Sequence, residues 1–451
     1  MTDPRPIPRQ LFDLALPIIG LNVLTVLALA VDTAMVARME GSDAALAGLG
    51  FASQIVFLLM VAQMGLTVGC VATVARAFGA REPERVAHVL QQATMLTLIM
   101  GGIIAVLGNV VAPSILRLLG AEGDALDQGL RYLRPLLTGT VFYYLNLLFA
   151  GVLRGVGNTK LPFLVAVVIN IVNVVLNYGL ILGNYGLPAL GVQGAAIGTL
   201  CAYASGTVAM VVLLNTGAQP GLSVPLRLVR LDGPLAGRLF KVGWPAALDM
   251  LILNAGFLSI LGMLGRITPA AVAAHGIGLR IQALAFVPGM SISQATAAMV
   301  GQALGAGDVA RANAVIRASI GLCTAIMTTL GLAFIAGAYP LTALFSLERG
   351  TPIAELAVLW MKVLGVGMPI VGVWIALVGM LQGSGFTNTS LRINLAATTV
   401  QIPLSYLLGF TLGLGPLGIW AAFPISFFIK MVWGLFEWRG QRWAVTGGRG
   451  R

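Results

Sequence analysis

The chain has 451 residues, of which 58% are apolar and only 10% charged, and its mean hydropathy is +0.93. A water-soluble domain carries about 25% charged residues, so this composition excludes a soluble globular domain, a disordered chain and a coiled coil. The net charge of +11 would suit a nucleic-acid partner, but its placement along the chain reads differently, as a topology signal.

Apolar runs of about 20 residues, bounded by charges, Gly and Pro, predict twelve membrane-spanning helices. In chain order they cover 13–36, 46–73, 89–112, 133–153, 162–183, 191–214, 243–264, 271–299, 314–337, 359–381, 394–413 and 417–436. The 57 Gly and 21 Pro fit this reading, because membrane helices tolerate both. An even number of spans puts both termini on one side. Loops on that side hold 19 of the 27 Lys and Arg, Lys430 among them; the opposite side holds 7, and Arg280 falls inside a span. Positive residues accumulate on the cytoplasmic face, so both termini are expected there, in a multi-pass protein of the cell inner (cytoplasmic) membrane. Membrane lipid is then an expected partner and nucleic acid is not.

The chain also repeats itself. Leu153-Arg154-Gly155-Val156-Gly157 matches Leu381-Gln382-Gly383-Ser384-Gly385, and Pro17 matches Pro245, both at an offset of 228. Val74–Ala80 (VARAFGA) matches Val300–Ala306 (VGQALGA) at 226. Each half holds six spans, so the halves share one membrane orientation. The expected architecture is all-α: two parallel six-helix lobes, 1–214 and 243–451, related by a pseudo-twofold axis along the membrane normal. A Gly-, Pro- and Arg-rich cytoplasmic linker over 215–242 joins them, and a basic cytoplasmic tail follows the last span. Secondary transporters use this plan, with a binding site within or between the lobes.

Charges at bilayer depth each need a reason. Asp32 lies toward the outer end of span one, in Val31–Val36 (VDTAMV). A carboxyl in an apolar cavity can take a proton or a monovalent cation and release it when the cavity opens. In span five, Asn170, Asn173 and Asn177 follow i, i+3, i+7 and share one helix face. Their amides can bind a cation or a carboxylate, or join helices to each other. In span six, Ala195 and Thr199 stand one turn apart and can add a backbone carbonyl and a hydroxyl. Asp249 lies about 9 Å into span seven and Arg280 near the middle of span eight. They can pair structurally or form a second substrate or coupling site. Tyr143 and Tyr144, with Trp244, Trp360 and Trp374, are aromatic candidates for a pocket that takes flat lipophilic cations, although most membrane aromatics pack or anchor.

Catalytic parts are missing. The sequence has no Walker loop, nucleophile elbow or HExxH. His88 and His275 are too few for a metal centre, and Cys70, Cys201 and Cys323 read as small buried hydrophobes. No enzyme activity and no cofactor is expected.

Five segments in order resemble the multidrug and toxic compound extrusion (MATE) family: Val31–Arg38 (VDTAMVAR), Gly151–Thr159 (GVLRGVGNT), Asn170–Tyr178 (NIVNVVLNY), Gly191–Thr199 (GVQGAAIGT) and Val300–Gly307 (VGQALGAG). The resemblance covers almost the whole chain. It implies a cation-coupled antiporter, driven by H⁺ or Na⁺, that exports organic and typically cationic, amphipathic compounds by alternating access; a monomer suffices. It implies that Asp32, Asn173, Asn177, Ala195 and Thr199 form the cation site of the N-terminal lobe. Some members have a second Asp where this chain has Asn177. NorM-type members carry C-lobe acids where this chain has Leu253 and Val371, which places the pattern nearer the DinF-type branch. The alternative within the superfamily is a lipid-linked-oligosaccharide flippase, which is expected to have a more cationic cavity.

Overall fold

The computed structural model describes residues 4–37, 42–225, 229–343, 345 and 348–445. Arg38, Arg227, Arg449 and Arg451, all part of the charge count, fall outside these residues. Every regular element described is helical, as lipid demands: a spanning segment must satisfy its own backbone hydrogen bonds. In chain order the first half holds α1 (Ile7–Val36), α2 (Ser42–Gly79), α3 (Pro83–Ile103), α4 (Asn109–Leu118), α5 (Gly123–Thr138), α6 (Thr140–Gly155), α7 (Lys160–Leu182) and α8 (Val192–Asn215). The second half holds α9 (Gly233–Gly265), α10 (Pro269–Gly305), α11 (Val309–Ala336), α12 (Ala338–Ala343), α13 (Pro352–Gly383), α14 (Thr387–Tyr406) and α15 (Gly415–Gly440). A π-helical turn, Ile104–Gly108, joins α3 to α4, and another, Leu407–Thr411, extends α14.

Among the described residues, eleven helical stretches are long and apolar enough to cross a membrane, and α5 with α6 makes a twelfth when counted as one span. That span, expected over 133–153, begins earlier, at Gly123, and is bent by 55° between the two helices. Gly139 stands at the break, where a Cβ would collide with the Leu200 side chain on α8. The protein is therefore a multi-pass, all-α membrane protein.

The chain divides into two compact units, 20–244 and 1–19 with 245–451. These boundaries differ from the expected ones at both ends of the first lobe. Leu11, Ala15 and Ile18 at the start of α1 are buried in the same core as Ile292, Val300, Trp360 and Phe423, so that segment belongs with the second half. The stretch 215–242 is no free linker either. Leu222, Val224, Leu235 and Leu239 bury into the core of the first unit beside Val89, Leu90 and Phe149, and α9 already begins at Gly233. In the first unit α7 packs along α8, and α2 against α5 and α6. In the second, α13 is central, packed on α10, α11 and α15.

The sequence repeat is also a structural one. After α6, Gly157 adopts φ +87° and the Asn158 N–H donates to the Leu153 carbonyl at 2.8 Å. After α13, Gly385 adopts φ +74° and the Phe386 N–H donates to Leu381 at 2.8 Å. Both are helix ends closed through a left-handed residue, which favours glycine. The 74–80 and 300–306 matches close the same way, through Arg81 (φ +60°) and Gly307 (φ +75°).

Candidate functional site

Three helices of the first unit meet at the end of α1. The close approach of α7 and α8 follows from two glycines. A Cβ on Gly194 would strike the Leu180 carbonyl, and one on Gly198 would strike the Asn177 amide oxygen. Bare backbone at these two points lets the Asn177 side chain lie flat against α8, as small residues do at membrane-helix contacts. Val36, Ala45, Ile181, Val192 and Ala195 form the apolar floor of this junction.

The structure brings four of the five expected residues into two hydrogen-bonded pairs. Asn177 Nδ2 donates to Asp32 Oδ1 at 2.6 Å, linking α7 to α1. Asn173 Nδ2 donates to Thr199 Oγ1 at 3.1 Å, linking α7 to α8. Ala195, the fifth, lies one turn before Thr199 and is 2% exposed in the apolar floor. Asp32 is half-buried, while Asn173 and Asn177 are buried. The oxygens Oδ1 of Asn173 and Asn177 are both buried and accept no hydrogen bond. A buried acceptor left unpaired costs about 1–3 kcal/mol, so two of them beside a carboxylate ask for a donor or a cation. Carboxylate, amide carbonyl and hydroxyl oxygens are the ligands that hard cations take.

Asn170 does not join this group. Its Nδ2 donates to the Ala166 carbonyl of its own helix at 2.7 Å, although the i, i+3, i+7 spacing placed it on the same face. A side chain can satisfy itself locally, and spacing alone does not reveal that. Tyr143 stands further along an aromatic row. Its ring lies 5.0 Å from that of Tyr203 and 6.1 Å from that of Tyr144, whose hydroxyl donates to the Leu59 carbonyl at 2.8 Å. Tyr203 on α8 and Tyr132 on α5 lie within electrostatic reach of Asp32. Sequence reasoning missed both, because α5 and α8 are distant in the chain from α1.

In the second unit the expected Asp249–Arg280 pair does not form. Arg280 is exposed on α10, and Asp249 finds its partners on α14 instead. Ser390 Oγ donates to Asp249 Oδ2 at 2.8 Å and Asn394 Nδ2 to Oδ1 at 2.5 Å. Lys430, counted above with the loops of the terminal side, is instead 1% exposed inside α15, its ammonium 4.6 Å from the centre of the Phe427 ring. Its position in the apolar run Pro424–Gly434 (PISFFIKMVWG) was the available signal. Leu253 is half-buried and Val371 buried, so neither position offers an acid. A groove of about 1010 Å³ opens elsewhere in this unit, between α9 and α14, lined by Ser259, Arg266, Pro403 and Tyr406. Among the described residues no three His, Cys, Asp or Glu side chains converge as a metal site. Cys70 and Cys323 are buried as expected, but Cys201 is exposed on α8. In a membrane protein an apolar position can face lipid as readily as core, so an apolar run does not fix burial.

The profile of the MatE family matches residues 17–179 and 245–407, one block in each half, and the blocks begin at the two matched prolines. The chain is 26% identical over 442 residues to the probable multidrug resistance protein NorM of Thermotoga maritima, covering 97% of this chain and 93% of that one. It is 26% identical to the probable multidrug resistance protein YoeA of Bacillus subtilis, covering 95% and 93%, and 29% identical to the multidrug resistance protein NorM of Burkholderia vietnamiensis, covering 89% and 88%. Its fold matches a MATE family multidrug resistance transporter solved in an outward-facing conformation, with a TM-score of 0.89 at 24% identity over 98% of this chain and 96% of that one. It also matches a MATE protein solved in a bent conformation, with a TM-score of 0.88 at 23% identity over 97% of each chain. Two family blocks in tandem on a fold shared over nearly the full length settle the family: the chain belongs to the MATE family, and it is a membrane transporter, not an enzyme.

Proposed function

We propose that this transporter exports organic, mainly cationic and amphipathic compounds from the cell by alternating access, driven by inward movement of H⁺ or Na⁺ bound at Asp32. One observation carries the coupling site: a half-buried carboxylate shares its junction with two buried amide oxygens that accept no hydrogen bond. A cation there would draw Asp32, Asn173, Asn177 and Thr199 together and so tighten α1, α7 and α8. A ligand shifts a conformational equilibrium only by its differential affinity for the two states, and this junction supplies that difference. Asp32 is the one acid among the five residues, so one ion per cycle is the natural stoichiometry. The names of the relatives support drug export, and the neighbouring rings of Tyr143 and Tyr203 in the same unit offer aromatic faces to a flat cation. The positive-residue count supports the cytoplasmic membrane with both termini inside, even without Lys430. The protein works as a monomer, with no cofactor beyond the coupling ion.

The test uses purified protein in liposomes loaded with a fluorescent cationic dye. A pH gradient and a sodium gradient are imposed separately, on wild type and on Asp32→Asn. Dye movement with one gradient, lost in the variant, names the ion and supports the site. Movement that survives the substitution removes Asp32 from coupling. No movement with either gradient overturns the dye-exporter reading and favours the flippase alternative.

A further inference from the structure

The groove between α9 and α14 has no part in the coupling proposed above, and it lies wholly within the second unit. Its shape follows from pairings further down the same two helices. Asp249 accepts from Ser390 and Asn394, and a Cβ on Gly256 would touch the Thr398 side chain at 3.4 Å. Residue numbers rise together along both helices, so α9 and α14 run parallel and are closed at this end. Beyond it the groove opens. Pro403 offers no N–H to the Thr399 carbonyl one turn back, and α14 then passes into the π-helical turn Leu407–Thr411. Prolines and π-helical turns are the usual sources of helix bends, and both stand in the α14 wall. The groove, of about 1010 Å³, runs from Ser259 to Arg266 on α9 and from Thr399 to Thr411 on α14. At 1.5 Å per residue these walls are about 10 and 18 Å long, which brackets the ~15 Å of hydrocarbon in one bilayer leaflet.

Its polarity is graded. At the closed end the hydroxyls are already engaged: Ser259 Oγ donates to the Ala255 carbonyl and Thr399 Oγ1 to the Leu395 carbonyl, each at 2.8 Å. Met263, Val400 and Leu404 add apolar surface. Toward the open end stand Tyr406 and Arg266, both exposed. Among the described residues neither the Arg266 guanidinium nor the Tyr406 hydroxyl has a hydrogen-bond or ion-pair partner. Arg266 is also the one charged side chain among the described residues lining the groove, and it follows the last residue of α9, at the water edge of the span. An apolar trough one leaflet deep, with free donors at its mouth, is complementary to an amphiphile with an apolar tail and an anionic head. It is the reverse of what a cationic compound needs, because no acid lines it. Bilayer lipid meets any apolar wall, but the unpaired guanidinium singles this one out, since its fork of N–H groups matches phosphate oxygens.

We propose that this groove holds one phospholipid of the leaflet facing away from the termini, with an acyl chain between α9 and α14 and its phosphate on Arg266 and Tyr406. The inference needs the fold and a membrane, and it is independent of the coupling site.

The test is native mass spectrometry of the full chain in detergent, with phosphatidylglycerol as the probe. Wild type is expected to retain one lipid per chain, and Arg266→Gln to bind it at least about tenfold more weakly. Gly262→Trp is a second variant. Gly262 lines the groove and a Cβ there meets nothing within 4 Å, so the indole fills the trough without disturbing the fold. It should block retention at an unchanged melting temperature. Arg280→Gln, which removes an exposed arginine of α10 that does not line the groove, should retain the lipid as wild type does. Equal retention by wild type, Arg266→Gln and Gly262→Trp would mean that the lipid belongs only to the surrounding annulus, and would overturn the proposal. So would no retention by wild type, equal retention of a diacylglycerol, which lacks the phosphate, or displacement of the lipid by the cationic dye of the transport assay. The measurement involves no transport, so it judges the groove even if the coupling reading fails.

Discussion

Asp32 and Asp249 are two acids held by asparagines across the same two helices of each half, yet they have opposite surroundings. Asp32 is half-buried, accepts from Asn177, and has two orphan amide oxygens nearby. Asp249 is 8% exposed and accepts from two side chains of one neighbouring helix. A duplicated framework thus produces one half-buried acid with orphan oxygens nearby and one buried acid held by two donors. An incomplete shell open to solvent can respond to a solution ion more readily than an acid buried between two donors. Family membership alone does not show this asymmetry, because it depends on burial and on hydrogen-bond partners.

The comparison can be broken at its strongest point first. Asp32→Asn removes the acid and is expected to lower gradient-driven dye movement about 100-fold, toward the leak rate, while Asp249→Asn is expected to lower it less than about tenfold. Equal losses in both would end the asymmetry. Next is Gly198→Val, which drives a side chain into the Asn177 amide and should separate α7 from α8. Overpacking of this kind destabilises by about 1–3 kcal/mol, and ion-dependent protection from thermal unfolding should vanish with it. Thr199→Val keeps the shape of α8 but leaves the Asn173 amide donor unpaired. A loss of about 1–2 kcal/mol in thermal unfolding is expected, with weaker ion affinity, seen as a raised half-saturating ion concentration.

Two smaller effects concern the repeat itself. Arg81 and Gly307 occupy matching left-handed helix ends, and only the glycine is at ease there. Arg81→Gly should stabilise by about 0.5–1 kcal/mol and Gly307→Ala should destabilise by a similar amount, so paired melts read the same motif in both halves. The smallest effect lies where α9 begins. Asp232 caps that helix by accepting from the Leu235 N–H at 3.1 Å, and its carboxyl also lies 3.0 Å from His88 Nε2. The hydrogen bond to His88 first, then that to Leu235, hold the carboxyl below the usual carboxylate range. A depressed carboxyl stabilises the fold above its unfolded value near 4, and that stabilisation is lost as pH falls through the lower folded value. Asp232→Asn should therefore melt slightly below wild type at neutral pH and match it in acid; an unchanged gap across that range would contradict the cap.

Much of this was legible in the amino-acid order. Lipid leaves a spanning segment little choice but helix, so apolar length alone located the spans, and the prolines at 17 and 245 with the two L-x-G-x-G turns revealed the duplication. Periodicity put Asn173 and Asn177 on one face, and depth singled out Asp32 and Asp249. Partners were a different matter. Asp249 pairs with side chains 141 and 145 residues away, not with Arg280 on the next helix, and Asn170 turned back on its own backbone. The bend at Gly139, the start of α1 buried in the core of the second half, and Lys430 inside the second unit were likewise decided by packing. Hydropathy and period are properties of one helix, and the sequence determined those. Which buried polar group meets which depends on how several helices pack at once, and only the tertiary structure decided that.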